Sequence, residues 1–106
     1  MKKKSELPEC PIATTISLVG SKWKLLILRN LQQRPWRFNE LQRSLDGISQ
    51  NVLTTSLKEL SCDGLVYRKD YQTNPPRVEY GMTDLGKQFS SVLAQMEQFG
   101  LYYKSL

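Results

Sequence analysis

Ile48-Ser49-Gln50-Asn51-Val52-Leu53-Thr54-Thr55-Ser56-Leu57-Lys58-Glu59-Leu60-Ser61-Cys62-Asp63-Gly64-Leu65-Val66-Tyr67-Arg68 reads as an amphipathic helix with its own start and stop, followed by a strand. Ser49 stands where a helix cap is wanted, its hydroxyl positioned to accept a first-turn N–H, and Ile48 before it can staple onto Leu53. Leu53, Leu57 and Leu60 recur at helical spacing and fall on one side. Asn51, Thr55 and Lys58 fall on the other, with Thr54 on the flank. Asn pairs bidentately with adenine, Thr offers a hydroxyl and a methyl to base edges, and Lys serves guanine or phosphate, so this polar side has the chemistry to read DNA. An ordinary surface helix shows the same amphipathic pattern, and its neighbours decide between the two. At the far end Asp63 closes the helix and Gly64 supplies the left-handed position after it.

On the N-terminal side, Asn39 is expected to cap a short helix, with Gln42 three residues on and Leu41 and Leu45 turned inward. Asp46-Gly47 breaks the chain before Ser49, so two short helices meet at a tight glycine-containing turn, which is a helix-turn-helix. On the C-terminal side, residues 65–71 are rich in strand formers. Gln72-Thr73-Asn74-Pro75-Pro76-Arg77 is a proline-bearing loop, and Val78-Glu79-Tyr80-Gly81-Met82 returns as a second strand. A stiffened basic hairpin directly after a helix-turn-helix has the physical form of a wing, and Arg suits phosphate or a narrow minor groove.

Further out, residues 1–9 carry a lysine run without apolar period and are expected to form a flexible basic arm. Pro11 opens a helix whose apolar stripe is Ile12, Ile16 and Val19, and Gly20 ends it. Ser21 caps the next helix, to about Leu31, in which Trp23, Leu26, Ile27 and Leu31 form the buried face. Trp36 to Phe38 suits a brief strand. Thr83 caps the last helix, where Leu85, Phe89, Val92, Met96, Phe99 and Tyr103 form a heptad seam. Its first half is expected to pack within the chain. Met96, Phe99 and Tyr103 are better placed against a partner helix.

A chain of 106 residues with 40% hydrophobic composition has material for one thin core. The net charge of +5 is concentrated centrally: residues 22–77 carry ten Lys or Arg against five Asp or Glu. Such a region draws in phosphates by Coulomb steering and counterion release. With no histidine and two cysteines far apart, Cys10 and Cys62, without metal-ligand spacing, histidine-dependent catalysis and His-rich metal sites are excluded. No cofactor and no enzymatic activity are expected. No apolar run reaches the roughly 20 residues of a membrane span and no signal core opens the chain, so a cytoplasmic location is expected.

Cys10-Pro11-Ile12, Gly20-Ser21-Lys22-Trp23, Phe38-Asn39-Glu40-Leu41, Ile48-Ser49 with Leu53-Thr54 and Leu57, Asp63-Gly64-Leu65-Val66, and Val78-Glu79-Tyr80 with Thr83 and Gly86 together resemble the HxlR family of bacterial winged-helix regulators, relatives of MarR. The resemblance implies an α+β, mainly α fold, a winged helix-turn-helix with a two- to three-stranded antiparallel wing. It also implies a single domain over residues 10–106, dimerising through residues 10–20 and 84–106, with Ile12, Ile16, Met96, Phe99 and Tyr103 at the interface. Carried over by position, base reading falls on Gln50, Asn51, Thr54, Thr55 and Lys58. Phosphate contacts fall on Ser49, Arg43 and Arg77. The implied partner is double-stranded DNA, bound by a homodimer on a pseudo-palindromic operator. Asn51 stands where relatives often carry a basic residue, and Gly20-Ser21 replaces the usual glycine pair.

Several members of that family use a cysteine in the Cys-Pro context to sense oxidants or electrophiles, which makes Cys10 the candidate sensor here. The adjoining helix favours its thiolate and the charges of Glu6 and Glu9 oppose it. Cys62, on the polar side of the Ser49 helix, is the lesser candidate. The competing function is a winged-helix protein-interaction module that does not touch DNA.

Overall fold

The computed structural model describes all residues, 1–106. Six helices and three strands follow one another: α1 (Pro11–Val19), α2 (Lys22–Leu31), β1 (Trp36–Arg37), α3 (Phe38–Ser44), α4 (Gln50–Cys62), β2 (Val66–Asp70), β3 (Val78–Met82), α5 (Asp84–Lys87) and α6 (Ser90–Lys104). No helix is long and apolar enough to cross a membrane.

Local chemistry sets most boundaries as expected. Ser21 Oγ accepts the Lys24 N–H at 3.1 Å, and Ser49 Oγ accepts the Val52 N–H at 3.1 Å. At the end of α4, Gly64 has φ +80°, the Leu65 N–H donates to the Leu60 carbonyl and the Gly64 N–H to the Ser61 carbonyl, a complete Schellman stop. The three strands form an antiparallel sheet in the order β1-β3-β2, with Trp36 opposite Tyr80 and Val66 opposite Met82.

Three expectations are corrected. α3 begins at Phe38, not after an Asn39 cap: Glu40 turns back to accept the Arg37 N–H at 2.8 Å. A carboxylate is a stronger acceptor for a cap N–H than the Gln42 amide would be at Asn39, and it starts the helix two residues earlier. The last helix is broken, because α5 stops at Lys87 and α6 starts at Ser90. Gly86 lies so close to the Leu65 carbonyl that α5 is pinned to the end of the α4 turn, and Gln88 and Phe89 follow with tighter i→i−3 bonds to Leu85 and Gly86. The first half of the seam packs inward only in part: Phe89 is half-buried against the core, Leu85 and Val92 are exposed, and Leu93 is the residue of α6 that enters the core.

That core is built from Ile27 and Leu28 of α2, Leu41 of α3 and Leu53, Leu57 and Leu60 of α4, all at 1% exposure or less. Val66 and Met82 close it from the sheet. Trp23 is half-buried against the core with Lys22 over its ring, and Leu28, absent from the expected buried face of α2, is fully buried because α2 is covered on more than one side. α1 and α6 contribute one buried residue each, Val19 and Leu93. Polar ties hold the helices in place: Lys24 Nζ to Glu59 at 2.6 Å joins α2 to α4, and the Trp36 indole N–H donates to the Asn30 carbonyl at 2.9 Å. Residues 1–9, expected as a flexible arm, contain a 3-10 turn at Lys4–Glu6, and Lys2 Nζ reaches the Asp63 carboxylate at 2.9 Å.

Candidate nucleic-acid interface

Leu53, Leu57 and Leu60 hold α4 to the core and turn its opposite side to solvent. Gln50, Asn51, Thr54, Thr55 and Lys58 all lie exposed there. Helical spacing brings Asn51, Thr55 and Lys58 into one row, a set able to contact base edges along a major groove. Ser49 is exposed as well, and since its oxygen accepts the Val52 N–H, its hydroxyl hydrogen is free for another acceptor. Sequence periodicity missed Val52. It is 39% exposed beside Asn51 and suits a thymine methyl. The available signal was its place one residue after Asn51, at the edge of the apolar side.

Arg43 of α3 and Arg77 of the loop between β2 and β3 are far apart in sequence and close in space. Together with Arg37 they line a groove of about 410 Å³ between α3 and the hairpin. Arg77 is not a freely rotating charge: its Nη2 lies 2.7 Å from Glu79 Oε1 and its guanidinium sits over the Tyr71 ring, 4.7 Å from the centroid. Lys69 approaches the same ring at 4.7 Å. The neighbouring Glu79 carboxylate and partial desolvation hold the Tyr71 hydroxyl above its ordinary pKa. On the other flank of α4, Lys2, Thr54, Thr55, Lys58, Cys62 and Asp63 surround a second groove of about 620 Å³. The N-terminal lysines therefore begin beside the same helix, a proximity the sequence did not signal.

Cys10 caps α1 through its backbone, and both it and Cys62 are exposed free thiols. Ile12 and Ile16 on α1, and Met96, Phe99 and Tyr103 on α6, are between 47% and 72% exposed. Phe99 and Tyr103 face each other with ring centroids 6.3 Å apart. The chain holds no cluster of three or more potential metal-ligating side chains.

Residues 18–106 match the model of the family described as HxlR-like helix-turn-helix. The chain belongs to the HxlR family. It is 39% identical over 95 residues to the HTH-type transcriptional regulator YdeP of Bacillus subtilis, covering 90% of this chain and 74% of YdeP. With YkvN of the same organism the identity is 42% over 94 residues, covering 89% and 80%. Among solved structures, the reduced form of the redox regulator HypR superposes with a TM-score of 0.86 at 35% identity, covering 90% of this chain and 94% of HypR. The reduced form of YodB from B. subtilis gives 0.76 at 32%, covering 87% and 91%. This HxlR-family chain is thus a winged helix-turn-helix transcriptional regulator, with α3 and α4 as the helix-turn-helix and β2–β3 as its wing.

Proposed function

We propose that the protein is a sequence-specific DNA-binding regulator that acts as a homodimer on a pseudo-palindromic operator. The observation that carries this reading is the exposed row Asn51, Thr55 and Lys58 on a helix anchored by three buried leucines, next to a groove that gathers Arg43 and Arg77. Gln50 and Thr54 widen the base-reading surface, and Ser49 contributes a phosphate contact. Two such helices related by a two-fold axis suit half-sites centred ~34 Å apart. The dimer is proposed to form through α1 and α6, whose apolar side chains this chain leaves uncovered.

The redox character of HypR supports extending the reading to Cys10. Cys10 is the backbone N-cap of the helix that also carries Ile12 and Ile16, so oxidation or electrophile addition at its exposed thiol would act next to the proposed dimer contact. Footprinting on the protein's own upstream region tests both parts. A protected pseudo-palindrome, lost on Asn51→Ala with Lys58→Ala and steeply weakened by salt, is the expected result. Protection abolished by oxidant in the wild type and retained in Cys10→Ser would assign sensing to Cys10. Binding indifferent to the double substitution would refute the base-reading assignment.

A further inference from the structure

Four ion pairs form within the chain, and they employ Lys2, Lys24, Arg34 and Arg77. Arg37 and Arg43 have no carboxylate partner, although both line the groove that Arg77 closes from the hairpin side. The acid in that groove, Glu40, is already committed: its carboxylate accepts the Arg37 backbone N–H at 2.8 Å and lies 3.5 Å from Arg34. Three guanidiniums therefore face one shared space with a single tethered negative charge. Arg77 meets Glu79 through Nη2 and sits over the Tyr71 ring, 4.7 Å from the centroid, while its other guanidinium N–H groups have no partner within the chain. The exposed Asn39 amide adds a neutral donor at the rim.

We infer that this groove is a discrete seat for one backbone phosphodiester, held jointly by Arg37, Arg43 and Arg77, so that a single phosphate ties α3 to the wing. Arg37 is thereby a nucleic-acid ligand, and Glu79 and Tyr71 are positioning residues that hold Arg77 at the groove. Guanidinium forks suit this task, since each can meet two phosphate oxygens at once. The seat carries no base discrimination. It fixes where α4 enters the groove and in which orientation, the division of labour that phosphate contacts have in DNA recognition. This inference rests on the DNA-binding reading above.

The test is a salt titration of binding to the footprinted duplex and to a scrambled duplex, using wild type, Arg37→Gln, Arg37→Lys and Asn51→Ala. Arg37→Gln is expected to weaken both duplexes alike, by about tenfold, and to lower the slope of log affinity against log salt by about one. Arg37→Lys keeps the slope and recovers only part of the affinity, because a point charge replaces a fork. A footprinted duplex with a single neutral methylphosphonate at the seated position should weaken wild type by a similar factor and Arg37→Gln little further. Unchanged affinity and slope in Arg37→Gln, with Asn51→Ala still losing its operator preference, would overturn the seat and leave the DNA reading intact. Binding insensitive to all the substitutions would overturn both.

Discussion

Gly64 has φ +80° and closes α4 with two backbone hydrogen bonds, whereas Gly86 has an ordinary backbone and lies against the Leu65 carbonyl. An L side chain at Gly64 is strained by its own backbone, at a cost of about 1–2 kcal/mol. A side chain at Gly86 would instead collide with a neighbouring main chain and push α5 off the Schellman turn. We expect Gly64→Ala and Gly86→Ala each to lower the urea midpoint, with Gly86→Ala also disturbing the position of α6. Near-ultraviolet circular dichroism, reporting on Tyr80, Trp36 and Trp23, separates a local cost from a repacking. Gly64 was legible in the sequence because the residue type follows from local conformation. Gly86 was not, because its requirement comes from a chain segment twenty-one positions away.

Among the elements, α3 shows how one side chain moves a boundary. Glu40 is held below the ordinary carboxylate value of 4.5, chiefly by the Arg37 backbone N–H, with Arg34 adding to the effect and partial desolvation opposing it. A carboxylate with a lowered folded pKa contributes stability that is present above its unfolded value and lost as pH falls through the folded one. The wild type should therefore be more stable than Glu40→Gln at neutral pH. That difference should shrink progressively below pH 4.5, as chemical unfolding at a series of pH values would record. A gap that stays constant with pH would mean that the carboxylate charge has no part in starting α3. The break between α5 and α6 belongs to the same scale. Heptad spacing from Leu85 to Tyr103 presented one seam, but continuity of pattern does not guarantee continuity of helix when a packed glycine lies near its start.

At the scale of the molecule, the radius of gyration is 14.8 Å, larger than the ~13 Å usual for a chain of this length. The excess fits helices that extend past the core. α6 buries only Leu93 while Met96, Phe99, Leu101, Tyr102 and Tyr103 remain at 47% exposure or more, and α1 leaves Ile12 and Ile16 bare. A patch of that kind is what a homodimer would cover. Phe99→Glu combined with Ile16→Glu is expected to give a folded monomer in sedimentation analysis, because neither side chain belongs to the core. The operator affinity of that variant should fall steeply, since each half-site would then be bound alone. A double variant that sediments as wild type would remove α1 and α6 from the interface.

The Ser21, Ser49 and Thr83 caps, the Gly64 stop and the order helix-turn-helix then hairpin were determined by the sequence alone. Each depends on contacts within a few residues: Ser49 with Val52, Gly64 with its own φ, the leucines of α4 with helical period. Tertiary structure decided what depends on distant segments meeting. It broke the last helix at Gly86, exchanged Val92 for Leu93 in the core, and brought Arg37, Arg43 and Arg77 to one groove. The physical reason is that periodicity assigns a side chain to a face of its own element, while only packing assigns that face a neighbour.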